Sequence, residues 1–296
     1  MFAALIISSA LPLVRTVVAL VRGQKLITVR ASMGRMPNDH NSPGGIAARL
    51  VSFAADSTDP PGLNDYDSFA EGYAAANETS FVHAYYERPA MLALAGDVAG
   101  RRILDAGCGS GPLFAALRDR GAIVTGIDKS AGMLEQARRR LGDGADLQVA
   151  ELGSPLPFPG GRFDDVTASL VLHYLKDWGP ALAELRRVLK PGGRLIVSVN
   201  HPFSENLWHR EARLKPDYLA TYSYVVEWTA GGQTAVLRFW HRPLHAMTDA
   251  FIAAGFRISA ISEPAAAPDT PRELLPLNVA DRQWIPGFLF FVLHAS

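Results

Sequence analysis

A glycine-rich turn that directly follows a short apolar segment constrains the fold of this chain more than any other feature of its sequence. Residues 101–106 (RRILDA) have the apolar character of a buried strand, and Gly107, Gly109 and Gly111 come immediately after them. Residues 112–120 then carry apolar side chains at helical spacing. A strand, a tight turn and a helix in this order predict the first unit of a parallel α/β sheet.

The same alternation of strand and helix patterns continues to the end of the chain. Ser130 is in the N-cap position of the second helix, and Pro191 with Gly192 ends a later one. Further strands are predicted at residues 122–128, 147–150, 165–172, 194–200, 256–262 and 288–294, and further helices at 131–141, 181–189 and 247–254. The pattern predicts an α/β fold in a single domain: a Rossmann-like, seven-stranded, mostly parallel sheet with helices on both faces.

The charge balance and the cysteine content narrow the class of protein. The 29 basic and 29 acidic side chains cancel, so the chain lacks the broad positive field that gathers nucleic-acid phosphates, and no nucleic-acid partner is expected. Its single cysteine, Cys108, excludes an intramolecular disulfide and a zinc site built from cysteines. This content fits a reducing compartment. A soluble, cytoplasmic enzyme is therefore the leading class.

The first 62 residues differ in pattern from the rest of the chain. Residues 1–22 are apolar, but Arg15 and Pro12 disfavour a membrane-spanning helix, and no basic residue precedes the apolar stretch as an export signal requires. No stable membrane insertion is expected. Residues 37–62 are rich in turn-forming side chains and are interpreted as a linker. We therefore predict that residues 1–62 form a poorly ordered extension and linker, followed by one domain at 63–296.

Two interpretations of this extension stay open. Basic side chains outnumber acidic ones strongly through residue 50, a bias that resembles a transit peptide or a basic helix lying on a membrane surface. Alternatively, the extension derives from an upstream start codon, and Met33 or Met36 is the true first residue.

The glycine turn does not match the nucleotide-binding signatures that it superficially suggests. The dinucleotide-binding pattern G-x-G-x-x-G requires its third glycine at the position of Pro112, whereas the chain has it one place earlier at Gly111. No Lys-Ser or Lys-Thr pair follows the glycines, which excludes a phosphate-binding P-loop. A nicotinamide-dependent oxidoreductase is therefore disfavoured.

Three motifs in order resemble a known family. They are DAGCGSG at 105–111, Asp128 at the end of the second predicted strand, and LKPGG at 189–193. Together they resemble the class I S-adenosylmethionine-dependent methyltransferases, and most closely the small-molecule enzymes of the ubiquinone-biosynthesis type. The resemblance covers about residues 64–262 and implies S-adenosyl-L-methionine as the cofactor.

The resemblance also implies which residues contact the cofactor. Asp105 and the glycine backbone would hold the methionine half, and Asp128 would accept hydrogen bonds from both ribose hydroxyls. Met133 would lie against the adenine, and Glu151, where the family more often has Asp, would receive the adenine amino group. The implied cofactor-binding residues are Tyr66, Tyr73, Asp105, Gly107, Cys108, Gly109, Gly111, Asp128, Lys129, Met133, Glu151, Leu152 and Ser169.

Two of these residues belong to a segment that precedes the predicted sheet. Residues 66–73 resemble the family's N-terminal helix, and Tyr66, Phe69 and Tyr73 would share one of its faces. That face either packs against the core or closes over the cofactor. Further on, Tyr85, Tyr86 and Arg88 are candidates for the acceptor side of the site.

Histidines that follow predicted strands are the candidate general bases. His173 follows the fourth predicted strand and His201 the fifth, so both are candidates for removing a proton from an acceptor. The alternative is that both are structural. His241 and His245 have the spacing of a helical metal pair, but Pro243 lies between them, and no metal site is predicted.

A long aromatic-rich insertion follows the fifth predicted strand. Residues 201–243 are too long for a simple loop, and their many aromatic side chains argue against disorder. Residues 222–228 and 235–240 alternate around Gly231 and Gly232, which predicts a β-hairpin. We expect this insertion to cover the acceptor pocket. The alternative is that it packs on the sheet or on a second subunit.

These observations predict an enzyme that transfers a methyl group from S-adenosylmethionine to a small-molecule acceptor at oxygen, nitrogen or activated carbon. The transfer would be an in-line displacement without a metal, because the sulfonium already carries the activation. The alternatives are a methyltransferase acting on RNA or protein and a non-catalytic partner protein that binds the cofactor. The expected oligomeric state is a monomer or a homodimer.

Overall fold

The computed structural model describes residues 19–21, 24–26, 47–53, 62–275 and 286–296. The strands are β1 (Ala19–Val21), β2 (Gln24–Leu26), β3 (Ala47–Phe53), β4 (Arg102–Ala106), β5 (Ile123–Asp128), β6 (Asp146–Val149), β7 (Phe163–Ser169), β8 (Leu189–Asn200), β9 (Tyr222–Ala230), β10 (Gln233–His241), β11 (Phe256–Ser262) and β12 (Phe288–Ala295). The α-helices are α1 (Ala70–Thr79), α2 (Arg88–Ala95), α3 (Pro112–Asp119), α4 (Ala131–Leu141), α5 (Gly179–Val188), α6 (Pro202–Glu211) and α7 (Leu244–Ala253). A π-helix, Phe81–Glu87, joins α1 to α2.

The main sheet has seven strands in the order β11-β12-β8-β7-β4-β5-β6. The five strands from β8 to β6 run parallel, whereas β12 pairs antiparallel with both β8 and β11. The predicted Rossmann-like, mostly parallel sheet is therefore confirmed. Parallel strands place their carboxyl ends at one edge of the sheet, which is where such folds bind ligands.

Helices cover both faces of this sheet, as predicted. Along β4, Ile103 packs with α2, α3 and α4, whereas Leu104 packs on the other face with α5 and α7. The same alternation occurs in β8, where Ile196 packs on the face covered by α2, α3 and α4, and Leu195 and Val197 pack on the face covered by α5 and α7. Successive side chains of a strand point to opposite faces, so each apolar run fills two cores.

The fourth predicted strand ends earlier than expected. The sequence indicated residues 165–172, but β7 ends at Ser169 and a 3₁₀ turn follows at Leu172–Tyr174. Leu170 lies between them with φ +48°, a left-handed conformation that a strand cannot continue through. This change of direction decides where His173 points.

A second, antiparallel sheet has the order β10-β9-β3. The strands β9 and β10 form the predicted hairpin, with Gly231 and Gly232 at its turn. The third strand, β3, was not predicted, because it lies within the segment interpreted as extension and linker. The other interpretations of residues 1–62 fall largely outside the described residues.

The helix predicted around residues 66–73 begins later than expected. Its first residue is Ala70, so Tyr66 and Phe69 lie in the turn that precedes α1 rather than on its surface. Phe69 is fully buried, and Tyr66 contacts both Phe69 and Tyr73 through its ring. The aromatic cluster forms as predicted, but a turn and a helix build it together.

None of the helices in the described parts of the chain combines the length and the apolar character that crossing a bilayer would need.

A buried carboxylate holds the amino-terminal edges of β4, β7 and β8 together. The Asp165 side chain is fully buried and accepts hydrogen bonds from Arg101 at 2.5 and 2.7 Å and from Arg194 at 2.7 and 2.8 Å. Burial raises the pKa of Asp165, but the hydrogen bonds from the two arginines outweigh it, and the pKa lies below its usual range. Both guanidinium groups therefore depend on one carboxylate.

We expect Asp165→Asn to lower the free energy of unfolding by about 3 to 5 kcal/mol, because it leaves two partly buried cations without their anion. Denaturant unfolding at pH 7 measures this loss, with the exposed Asp143→Asn as the matched control. A lowered pKa contributes stability that is lost as the pH falls through it, so the difference between wild type and variant should shrink in acid. A difference below 1 kcal/mol at pH 7 would contradict this role.

Candidate functional site

A cavity of about 300 Å³ opens at the carboxyl ends of β4, β5 and β7. It is lined by every residue that the sequence analysis assigned to cofactor binding except Gly111. Gly111 is instead the N-cap residue of α3, and a Cβ built on it would approach Leu141 Cδ1 to 2.9 Å. Residues from distant parts of the sequence therefore meet at one place, the edge that the topology predicts for a ligand.

The turn after β4 contains three glycines with positive φ, Gly107, Gly109 and Gly111. Gly107 has φ +76°, and a Cβ built on it would lie 2.6 Å from Val171 Cγ2. Gly109 has φ +54°, and its Cβ position has no atom of a described residue within 4 Å. The first glycine allows close packing against the neighbouring loop, and the second leaves its backbone open to the cavity.

Asp105 is the most deeply buried carboxylate at this edge. It is 1% exposed, and its Oδ1 accepts a hydrogen bond from Thr167 Oγ1 at 2.9 Å. Its Oδ2 has no hydrogen-bond partner among the described residues. Burial raises the pKa of Asp105 to about 7. A buried carboxylate oxygen without a donor is costly, and a cationic ligand would relieve that cost.

Asp128 ends β5 and organises the backbone around it. Its Oδ2 accepts from Gly109 N–H at 2.9 Å, and its Oδ1 accepts from Ser130 N–H at 2.9 Å. Burial raises the pKa of Asp128 above its usual range. Each carboxylate oxygen has two lone pairs, so the side chain retains capacity for further donors such as a pair of hydroxyls.

Beyond Asp128 the wall of the cavity becomes apolar. Ser130 caps α4 as predicted, with its Oγ accepting from Met133 N–H at 3.0 Å, and this fixes the first turn of the helix. Met133 is 2% exposed, and Leu152 lies in the loop after β6. The neighbouring Glu151 and Lys129 also line the cavity. This part of the wall suits a flat ring with polar edges.

The segment before α1 is attached directly to this wall. Asp67 Oδ1 accepts a hydrogen bond from Ser130 Oγ at 2.5 Å and one from Gly132 N–H at 2.8 Å. The carboxylate of Asp67 thus lies at the N-terminus of α4, where the helix dipole favours a negative charge. These bonds fix the turn that carries Tyr66 against the wall of the cavity.

Tyrosine rings form the opposite side of the cavity. The hydroxyls of Tyr66 and Tyr174 are hydrogen-bonded to each other. Tyr73 stacks on Trp228 of β9 with an interplanar angle of 4° and a centroid distance of 6.0 Å. Phe239 of β10 packs on Tyr174 at 5.0 Å. None of the residues of the insertion at 201–243, all of which the structure describes, lines the cavity, so the predicted cover over the acceptor pocket is not seen; β9 and β10 instead pack against Tyr73 and Tyr174.

The two histidines proposed as general bases do not line the cavity. The His173 ring is buried between Tyr174 and Phe239, its Nδ1 accepts from Asn200 N–H at 3.4 Å, and burial lowers its pKa to about 4. His201 caps α6, since its Nδ1 accepts from Phe203 N–H at 3.2 Å. Neither position supports the catalytic role that the sequence suggested.

Different residues with titratable groups line the cavity, and besides Tyr174 two of them were not predicted from the sequence. They are Glu87 and His83, both on the π-helix that precedes α2. Arg88 lines the cavity as expected, whereas Tyr86 is fully buried in the core against Phe288. An acid and a histidine within an otherwise apolar and aromatic stretch were the available signal. π-helical turns are rare and are frequently found at functional sites.

The wall of the cavity carries more acidic than basic side chains. Glu87, Asp105 and Asp128 all line it, and burial raises the pKa of each. The negative charges of Glu87 and Asp128 raise the pKa of Asp105 further. A cluster of partly desolvated carboxylates stabilises a bound cation.

These features fit S-adenosylmethionine. Its positively charged ammonium group matches the carboxylate of Asp105, which lines the cavity and has an oxygen without a donor among the described residues. Asp128 can accept from the ribose hydroxyls, and Met133 with Leu152 offers an apolar surface to the adenine. The open face of Gly109 lets the ligand approach the backbone closely.

Comparisons with known proteins agree with this assignment. Residues 104–197 match the family described as a methyltransferase domain. The chain is 48% identical over 101 residues to a demethylmenaquinone methyltransferase of Clavibacter sepedonicus, an alignment that covers 34% of this chain and 41% of that protein. It is 32% identical over 174 residues to the demethylmenaquinone methyltransferase of Tropheryma whipplei, covering 55% of this chain and 73% of that protein.

A solved structure has the same fold. The chain resembles an S-adenosylmethionine-dependent methyltransferase from Mesorhizobium loti with a TM-score of 0.54 and 24% sequence identity, over 74% of this chain and 99% of that chain. At this identity the likeness concerns the fold alone. Among the sequence relatives, the match spans less than half of the Clavibacter protein and nearly three quarters of the Tropheryma protein.

Proposed function

Because this chain belongs to the class I S-adenosylmethionine-dependent methyltransferases of the ubiquinone- and menaquinone-biosynthesis type, we propose that it methylates a small hydroxylated aromatic acceptor such as a quinol. The observation that carries this proposal is the cavity whose wall combines a carboxylate cluster with tyrosine rings. The relatives are named demethylmenaquinone methyltransferases, and this supports an acceptor of that kind.

The cofactor, when bound, supplies a methyl group that is activated by the positive charge of its sulfonium sulfur; the leaving group is a neutral thioether. Asp105 and Asp128 would hold the two polar halves of the cofactor, and Met133 its base. The chain's own contribution is then to align the acceptor and to exclude water. Such alignment can supply roughly 7 to 11 kcal/mol of a barrier. The in-line geometry without a metal is part of this proposal, because a sulfonium needs no Lewis acid to leave.

The size and the lining of the cavity favour a small acceptor. The space is closed on one side by the glycine turn and on the other by Tyr66, Tyr73 and Tyr174, which β9 and β10 support. A flat apolar ring with one or two hydroxyls fits a wall of tyrosine rings with a few polar groups. The chain's zero net charge gives no general attraction for RNA.

The test uses the full chain, trideuteromethyl-labelled S-adenosylmethionine and reduced 1,4-dihydroxynaphthalene kept free of oxygen. We expect mass spectrometry to detect transfer of one labelled methyl group to the naphthalene, and the thioether product to form in equal amount. A host metabolite extract serves as a second source of acceptors. Labelling only of RNA or protein in that extract would contradict a small-molecule acceptor, and no labelled product of any kind would contradict catalysis.

A further inference from the structure

Glu87 is the one carboxylate of the cavity that comes from the helical layer above the sheet rather than from a strand end. It is the last residue of the π-helix and is 4% exposed. Its side chain reaches the carboxyl ends of β7 and β8, which lie 82 and 111 residues further along the chain. Burying a carboxylate against a sheet is costly and therefore needs a reason.

Two serine hydroxyls donate hydrogen bonds to the same carboxylate oxygen of Glu87. Ser169 Oγ donates to Oε1 at 2.7 Å, and Ser198 Oγ donates to the same oxygen at 2.6 Å. Two hydroxyls on one oxygen fix the plane of the carboxylate. Oε2 is then the oxygen with capacity to accept a proton from a molecule in the cavity.

The surroundings of Glu87 shift its pKa in opposite directions, with a net rise above its usual range. Burial raises the pKa of Glu87, and the hydrogen bonds from Ser198 and Ser169 and the positive charge of Arg88 lower it in part. The other titratable groups near it come from α1, from β4 and from its own helical turn; they are Tyr73, Asp105, His83 and Tyr86. A base with a raised pKa is better matched to a hydroxyl proton than an ordinary carboxylate.

We propose that Glu87 is the catalytic base of the acceptor site, and that its Oε2 takes the proton from the hydroxyl of a flat hydroxylated acceptor. The proposal rests on the proposed function and adds a named residue to it. In this step the acceptor O–H bond breaks, the proton moves to Glu87 Oε2, and the electron pair stays on the acceptor, which becomes the nucleophile. His83 and Tyr73, whose rings meet edge to face at 5.9 Å, form the adjoining wall.

The competing role for Glu87 is to bind the ammonium of the cofactor. Asp105 already offers an oxygen that has no donor in the described part of the chain, and it lies at the glycine turn. Glu87 is held by Ser169 and Ser198 towards β7 and β8 instead. The two roles differ in what they do to cofactor affinity, and that difference is measurable.

The experiment compares wild type with Glu87→Gln, using the exposed Glu71→Gln as the matched control. Calorimetry gives the affinity for S-adenosylhomocysteine and then the affinity of that complex for 1-naphthol. We expect Glu87→Gln to change the affinity for S-adenosylhomocysteine by less than twofold and to weaken 1-naphthol binding about tenfold. It should lower kcat/KM for 1,4-dihydroxynaphthalene about 100-fold at pH 7, with the loss shrinking at alkaline pH, where the hydroxyl ionises in water.

Ser198→Ala provides a second variant that keeps the base. It removes a hydrogen bond that favours the charged form of Glu87, so the acid limb of kcat/KM should move to higher pH. An unchanged acid limb would overturn the proposal even if Glu87→Gln fails to fold.

The remaining outcomes are also decisive. A tenfold loss of S-adenosylhomocysteine affinity in Glu87→Gln, with 1-naphthol affinity unchanged, assigns Glu87 to the cofactor and overturns the proposal. If wild type transfers no methyl group to the naphthalene, the proposed function fails for that acceptor, and the 1-naphthol titration still tests Glu87. Equal 1-naphthol affinity in wild type and Glu87→Gln, or no 1-naphthol binding to wild type, overturns the proposal that Glu87 is the base.

Discussion

Asp105→Asn is expected to weaken S-adenosylmethionine binding about 100-fold and, at the same time, to stabilise the ligand-free protein at pH 8. The affinity falls because the variant removes a buried negative charge that a cation needs as its partner. Calorimetric titration of the full chain measures this change, and the exposed Asp119→Asn is the matched control.

The gain in stability follows from the raised pKa of Asp105. A carboxyl whose folded-state pKa is about 7, against an ordinary 3.8, destabilises the fold progressively as the pH rises from about 4 to above 7. The full difference is at most ~4 kcal/mol. Asparagine does not titrate, so Asp105→Asn should melt several degrees above wild type at pH 8 and close to wild type at pH 4. A variant that melts below wild type at pH 8, or binds the cofactor normally, would contradict the account of Asp105.

The pH dependence of cofactor affinity follows from the same group. Because the charged form of Asp105 binds the cation, wild-type affinity for S-adenosylmethionine should fall as the pH decreases through about 7. This dependence should disappear in Asp105→Asn.

Gly107→Ala is expected to lower the free energy of unfolding by about 3 kcal/mol, whereas Gly109→Ala should cost only about 1 kcal/mol. Both residues have positive φ, so an alanine is strained at either position. Only at Gly107 would the new methyl group also overlap a neighbour, Val171 Cγ2 at 2.6 Å. Denaturant unfolding of the two variants measures the difference.

The double variant Gly107→Ala/Val171→Ala separates overlap from backbone strain. Removing the valine methyl groups should restore about half of the loss as a coupling energy between the two sites. Val171 also lines the cavity, so Gly107→Ala alone should weaken S-adenosylhomocysteine binding as well. Equal stabilities of Gly107→Ala and Gly109→Ala would show that the turn does not pack in the way described.

The fold could be predicted from the sequence because short local patterns specify its strands, helices and turns. Alternating apolar runs, the Ser130 cap and the glycines after β4 each specify a short segment, and β11 has the predicted bounds, Phe256–Ser262. The proposed cofactor residues were implied by the family resemblance. The topology explains why they meet, since parallel strands bring their carboxyl ends to one edge of the sheet.

The residues on the acceptor side could not be predicted in this way, because their arrangement depends on contacts between distant segments. Glu87 becomes significant only through Ser169 and Ser198, and no local pattern joins these three residues. His173 looked favourable as a residue after a strand. The left-handed Leu170 ended that strand early, and the ring turned towards Phe239 instead of the cavity.

The strand β3 illustrates the same limit. Its residues lie in a stretch that local composition assigns to a linker, and the strand is defined by its pairing with β9, 171 to 182 residues further along the chain. An ion pair between Arg49 of β3 and Glu227 of β9, at 2.9 Å, joins the two strands.

A crystal structure of the full chain with S-adenosylhomocysteine tests the central claim most directly. We predict that the ligand occupies the cavity, with its amino group within hydrogen-bonding distance of Asp105 and its ribose hydroxyls on Asp128. A ligand bound elsewhere, or a cavity that stays empty at saturating ligand, would contradict the assignment of this site.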